Sequence, residues 1–120
     1  MDVALVSPER ILWEGDAEMV IARTAGGDIA FLNNHAPFVG ALGIGRVAIT
    51  PTGGGTPIEV AVHGGFVEVK DNRVIVLSDV AELADQIDVD RARQALAAAG
   101  DTDPDARRRA EVRLQVAGAS

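Results

Sequence analysis

Cysteine is absent from the 120 residues, which excludes disulfides, thiolate metal ligands and cysteine nucleophiles and fits a cytoplasmic setting. Aromatic residues are nearly absent too: Trp13, Phe31, Phe38 and Phe66 are the only four. A core must therefore be filled by Val, Ile, Leu and Ala. No window approaches the roughly 20 apolar residues of a membrane-spanning helix. No basic stretch followed by an apolar run marks a secretory leader. A basic face is also missing, since the formal net charge is −7 and the pI about 4.6, which argues against a nucleic-acid surface. Residues 1–86 hold 12 acidic and 5 basic side chains and residues 87–120 hold 6 of each, so the whole acidic excess lies in the first part.

The chemistry of an enzyme is missing as well. There is no GxSxG elbow, no HExxH and no P-loop, and no nucleophile and base stand at workable spacing. The Gly53 to Gly55 run is followed by no helix, so it reads as a hairpin tip rather than a phosphate cradle. His35 and His63 fall in different elements, and no metal site is assigned. Asp16 with Glu18, and Asp79, Glu82 and Asp85, read as solvated acids on turns and strand edges.

What is present is a succession of short alternating apolar runs broken by Gly, Pro and Asn. The stretch Gly26 to Gly45 places the runs Ile29 to Leu32 and Phe38 to Leu42 on either side of Asn33, Asn34, His35 and Pro37. Asn tolerates the left-handed region, and Pro37 belongs in a loop or on an edge. Such a loop, held between strands, is where binding groups tend to sit. RVAIT (Arg46 to Thr50) and IEVAV (Ile58 to Val62) flank the most emphatic turn, Pro51 to Pro57, and predict a hairpin. Gly64-Gly65, ahead of FVEVK, predicts a bulge or a close backbone approach. RVIVL (Arg73 to Leu77) is apolar on both faces, as in a central strand. Nine or ten such runs, with no helix between them, predict an antiparallel β-sandwich or flattened barrel over residues 1–86.

At Asp88 the period changes. Asp88 is a fit N-cap, and Val89, Ala92, Leu96 and Ala99 recur at helical spacing up to Gly100. Pro104 opens a second helix with a seam of Ala106, Ala110, Leu114 and Ala117. The result is a mainly β chain with a small α part, an antiparallel two-helix hairpin over residues 87–120. Its Ala-rich seam offers little apolar area, so it must lean on the strands or on a partner. The spacing of the hairpin lets Arg91, Arg113 and Arg109 converge beside Asp88. That geometry allows two outcomes: an N-cap with interhelical ion pairs, which is the commoner, or a grip for a nucleotide phosphate. Arg107, Arg108, Arg109 and Arg113 give the last helix local positive character, which suits a solvated face or an acidic partner surface.

At these residues the chain resembles the ε subunit of the F-type rotary ATP synthase. DVALVSPERILWEGDAEMV, GDIAFLNNHAPFVGALGIG, VAVHGGFVEV, VIVLSDVAE and IDVDRA occur in order over essentially the whole length. The resemblance implies a ten-stranded β-sandwich with a C-terminal helical hairpin, in a non-catalytic central-stalk subunit. Such a subunit binds the γ subunit and the c-ring, couples proton flow to ATP synthesis, and meets the membrane only through the complex, on its cytoplasmic face. Contacts to the c-ring or γ would fall on Asp28, His35, Ala36, Pro37 and Phe38, continuing to Leu42. The resemblance further implies a hairpin that hinders ATP hydrolysis by presenting Arg107, Arg108, Arg109 and Arg113 to the catalytic β subunit.

The IDVDRA run is similar to the family's ATP-binding pattern, carried over as Ile87, Asp88, Arg91 and Ala92 with Glu82 as the matching acid. The second helix is shorter than in nucleotide-binding members, so Arg109 and Arg113 enter only as candidates. No cofactor is required on this view, and ATP would be a regulatory ligand. A reading of a different class is a free-standing nucleotide-sensing β-sandwich that binds ATP at the hairpin.

Overall fold

A computed structural model describes residues 1–118; the last two residues of the 87–120 segment lie outside the described residues. Seven strands come first: β1 (Asp2–Val6), β2 (Ile11–Thr24), β3 (Gly27–Leu32), β4 (Phe38–Pro51), β5 (Ile58–Lys70), β6 (Arg73–Leu77) and β7 (Ala81–Leu83). A 3-10 turn (Ala84–Gln86) leads to helices α1 (Val89–Ala99) and α2 (Pro104–Ala117).

The strands pair in the order β1-β6-β5-β4-β2-β3, and β1 also pairs with β2. Strands β1, β6, β5, β4 and β2 thereby close on themselves, giving a barrel-like sandwich with β3 added beside β2 and β7 beside β5. Closure leaves few open edges for unwanted pairing. The interior is aliphatic, as the composition requires. Leu5, Val20, Ile49, Val60, Val67, Val74 and Val76 are fully buried, and Phe31 is the one aromatic residue without exposure.

The fold class stands with two corrections. There are seven strands, not about ten, because three pairs of runs that read as separate strands are continuous. Ile11 to Trp13 and Ala17 to Thr24 are both in β2, Phe38 to Leu42 and Arg46 to Thr50 in β4, and Ile58 to Val62 and Phe66 to Lys70 in β5. Glycines that look like turns in the sequence bend these strands without ending them; cutting each of the three at its bend recovers the count of ten. Second, the pairing is not wholly antiparallel, since β1 and β6 run parallel from Asp2↔Arg73 to Val6↔Leu77.

The bend in β5 lets one strand serve two neighbours. Residues Val60 to Val62 pair with β7, and Phe66 to Lys70 pair with β6. Between them Gly64 and Gly65 take φ of 87° and 136°, values that favour glycine. A Cβ on Gly65 would run into the Leu77 carbonyl. Ser78, the one buried polar residue among those described, donates its hydroxyl to Gly64 O at 2.6 Å and to Val80 O at 3.0 Å, while the His63 amide donates to Val80 O at 3.0 Å. The predicted bulge is thus a stitched switch point where β5 changes partner.

The hairpin rests on the barrel through α2, which lies against β4 and β5. Asp88 caps α1 by accepting from the Arg91 amide at 3.1 Å, and Asp103 caps α2 by accepting from the Ala106 amide. Gly100 and Gly118, both at positive φ, end the two helices. Ala92, Ala99, Ala110 and Leu114 are buried, as the predicted seam has it. Val112 and Val116 lie outside that seam. They form a second buried face against Ala61 of β5, with Ile44 and Ile87 packed around them. Burial is worth roughly 2 kcal/mol for each valine, which seats α2 on the barrel.

Candidate functional site

Two regions gather the predicted functional residues. The first lies between the hairpin and the short strand β7. Glu82 stands on β7, and its Oε1 accepts from Arg113 Nε at 2.6 Å and from His63 Nε2 at 3.1 Å. Glu82 and Arg113 are each about a quarter exposed, whereas the His63 side chain is 4% exposed. Burial would raise the Glu82 carboxyl, but the Arg113 hydrogen bond and charge, helped by His63, hold it below its ordinary value. Glu82 is therefore an anion in a fixed place, not the solvated acid that its neighbourhood in the sequence suggests.

Beside it opens a cavity of about 370 Å³ lined by Glu82, Gln86, Asp88, Arg91, Ala92, Ala95 and Arg113. Five of the seven residues expected at a phosphate grip thus share one space. The other two do not line it. Ile87 packs into the Val112 and Val116 cluster as an apolar anchor, and Arg109 lies on the His63 side, where its charge acts on the imidazole. Arg113 gives its Nε to Glu82, so the two terminal amino groups of the guanidinium remain for another acceptor. Arg91 makes no ion pair among the described residues. Arg91 from the first turn of α1 and Arg113 from α2 bring two guanidinium groups to the cavity, beside the carboxylates of Asp88 and Glu82, and guanidinium groups suit an anionic group.

The four arginines of the last helix do not share a face. Arg107 pairs with Asp101 at 2.8 Å and with Glu111 at 3.5 Å. Arg108 turns to a narrow groove shared with Ile21, Arg23, Asp28, Arg46 and Gln115. Arg109 and Arg113 face the His63 region.

The second region is the β3–β4 loop. Asn34 takes φ of 63° and its amide donates to Asn72 Oδ1 at 2.8 Å, so the left-handed turn expected of the Asn pair is there. The His35 ring packs edge-on against Phe31 with centroids 5.1 Å apart, and Phe38 packs on Phe31 at 5.4 Å. His35 and Phe38 thus anchor the turn on Phe31, and Ala36 and Pro37 between them are exposed. Asp28 is not with them: it pairs with Arg23 at 3.6 Å near the start of β3, roughly 13 Å of extended chain before Leu32.

One surface does not stand out in the sequence. Register sets Ile11, Val6, Leu77, Phe66 and Ala41 side by side across β2, β1, β6, β5 and β4. Ile11 (57%), Phe66 (59%), Leu77 (41%) and nearby Val39 (70%) are exposed. Val39, Phe66, Leu77 and Ile75 line a shallow apolar depression. Its signal in the sequence is the two-faced apolar run RVIVL, whose second face looks outward.

The model of the ATP synthase delta/epsilon chain beta-sandwich domain matches residues 1–84. The ATP synthase epsilon chain of Streptomyces griseus is 47% identical over 116 residues, 96% of this chain and 93% of that one. The chain belongs to the ATP synthase epsilon family. The Streptomyces coelicolor epsilon chain is also 47% identical, covering 98% of this chain and 94% of its own. In the cryo-EM structure of Euglena gracilis mitochondrial ATP synthase, OSCP/F1/c-ring, one chain matches with a TM-score of 0.74 and 22% identity, covering 98% of this chain and 76% of that one. A chain of the Tetrahymena thermophila mitochondrial ATP synthase central stalk/c-ring gives 0.63 and 18%, covering 100% and 96%. These two likenesses are of fold. As an epsilon-family member the chain is a subunit of ATP synthase and not an enzyme in its own right. Among its described residues no helix is long and apolar enough to cross a membrane, and no group of three or more metal-ligating side chains is placed to hold an ion.

Proposed function

We propose that this epsilon-family chain is a rotor subunit that binds γ and the c-ring in the central stalk, couples proton flow to ATP synthesis on the cytoplasmic face of the membrane, and regulates hydrolysis with its hairpin. The observation that carries the γ contact is the outward stripe of Ile11, Val39, Phe66 and Leu77. An apolar strip across five strands of an otherwise acidic subunit has the character of a permanent interface. The loop of His35, Ala36, Pro37 and Phe38 would meet the c-ring, with Asp28 as a separate contact at the far end of β3. The test is co-purification with γ, with Phe66→Asp as the disrupting variant. A stable complex lost on that substitution, with the barrel still folded, is the expected result; equal binding by both forms would overturn the assignment.

ATP is proposed as the ligand of the hairpin cavity, because Arg91 and the free edge of Arg113 converge there beside Asp88 and Glu82. Calorimetry with the full chain should give binding that Arg91→Ala abolishes, and silence at millimolar ATP would remove the ligand. The brake would act on the β subunit through α2. Arg113 and Arg109 face the barrel in the seated hairpin, so contact with an acidic β surface requires α2 to leave its place first.

A further inference from the structure

His63 is the least exposed member of the Glu82 cluster, and it belongs to the barrel rather than the hairpin. It stands on β5 immediately before the glycine bend, its amide tied to Val80 O and its Nε2–H given to Glu82. Its other ring nitrogen, Nδ1, is buried and has no hydrogen-bond partner. The charged groups that face it are Glu82 from β7 and Arg113 and Arg109 from α2.

That arrangement has one consequence for a proton. A neutral imidazole with its hydrogen on Nε2 satisfies Glu82 and leaves only the Nδ1 lone pair without a partner. A proton added to Nδ1 would be a buried N–H donor with no acceptor, carried by a cation beside two arginines. The cation would be repelled by Arg113 and Arg109, the two α2 charges that face it. Such a cost falls on the contact made from α2, which is seated by the packing of Val112 and Val116 among Ala61, Ile44 and Ile87 and by the Arg113–Glu82 ion pair.

We propose that His63 is a positioning residue that seats the hairpin: in its neutral form it fixes Glu82, Glu82 fixes Arg113, and a proton gained at Nδ1 unseats α2 and disperses the cavity. The inference rests on the reading of α2 as a helix that docks and leaves, but not on ATP being the ligand. Its direction agrees with the electrostatics. Burial first, then the charges of Arg113 and Arg109, hold His63 below its ordinary value of 6.5 despite the pull of Glu82. The docked form therefore binds fewer protons than the undocked form. Seating is at full strength above the undocked form's value and weakens as pH falls from there toward the lower docked value, by about tenfold for each pH unit in which only the undocked form is charged.

The experiment is amide hydrogen exchange of the full chain from pH 7.5 to 5.5, corrected for the intrinsic pH dependence of exchange, for wild type, His63→Gln and His63→Ala. Amides of β6 report whether the barrel stays folded. Wild-type α2 should lose several-fold protection across that range. His63→Gln keeps a donor for Glu82 but cannot take the proton, so its α2 protection should be flat; His63→Ala should be less protected at every pH. The wild-type His63 Cε1 proton resonance should titrate over the same interval as α2 protection, a check that needs no variant. A flat wild-type profile, a His63→Gln profile that tracks wild type, or a titration outside that interval overturns the proposal. If the exchange pattern is as expected and calorimetry shows no ATP binding, the ATP assignment falls and the role of His63 stands. If ATP binds while His63→Gln tracks wild type, the reverse holds.

Discussion

Arg113 donates to Glu82 at 2.6 Å across 31 positions of sequence, and it is the ion pair that joins the last helix to the strand system. Replacing either partner isolates its contribution. Arg113→Ala or Glu82→Gln should weaken the seating of α2 by about 1 kcal/mol, the scale of a charge-assisted pair that water partly screens. Amide exchange over α2 should accelerate while β6 amides stay unchanged. The pair also sets an acid limit. Glu82 lies below its ordinary value of 4.5 in the folded chain, so its contribution is complete above that value and is lost as pH falls below it. A denaturation series from pH 6 to 3 should show this acid loss in wild type and a shallower one in Glu82→Gln.

Gly65→Ala should be among the most damaging single-methyl changes in the barrel. The φ of 136° disfavours any side chain, and the new Cβ meets the Leu77 carbonyl. A cost on the order of 2 kcal/mol or more is expected. Urea unfolding measures it; stability within about 0.5 kcal/mol of wild type would show that β5 can turn its corner another way.

Val112→Ala tests the face that docks the hairpin. Val112 has no exposure and packs on Ala61 and Val116. Loss of about 2 kcal/mol of seating is expected from the removed methyl groups and the void they leave. A separate early unfolding step of the helices, ahead of the barrel, should appear in the far-ultraviolet signal.

Adding the subunit back to a catalytic head that lacks it tests the brake. The full chain should slow ATP hydrolysis, whereas a version ending at Gln86 should bind and leave the rate unchanged. Equal slowing by both would locate inhibition in the barrel instead.

Much of this architecture is written locally. The alternation of RVAIT and IEVAV marks the β4–β5 hairpin, where Ile49 faces Ile58 at the turn. Asp88 announces its helix by cap chemistry. What is not legible depends on relations across the chain. Continuity of β2, β4 and β5 through their glycines is decided by pairing partners, because a glycine that bends a strand and one that ends it look alike. Val112 and Val116 recur at the same spacing as the alanine seam, but only a surface to dock on makes them a second face. Hairpin arithmetic places Arg91 and Arg113 near Asp88, and the cavity agrees. In the sequence His63 has no assigned role, since the bend that turns it toward Glu82 is set by Ser78 and Val80, residues that come later in the chain.

The parallel pairing of β1 with β6 has a bearing on how the chain is made. Pairing with β2 holds one edge of β1 early, from Asp2↔Asp16 to Val6↔Ile11, but its other edge finds Arg73 only after some seventy intervening residues exist, so the barrel closes late. Long-range closure of that kind is slow relative to local hairpins. The helices emerge last and meet a surface that β4 and β5 have already finished. Folding order thus makes the barrel a prerequisite for the docked hairpin, because α2 has its surface only once β4 and β5 have paired.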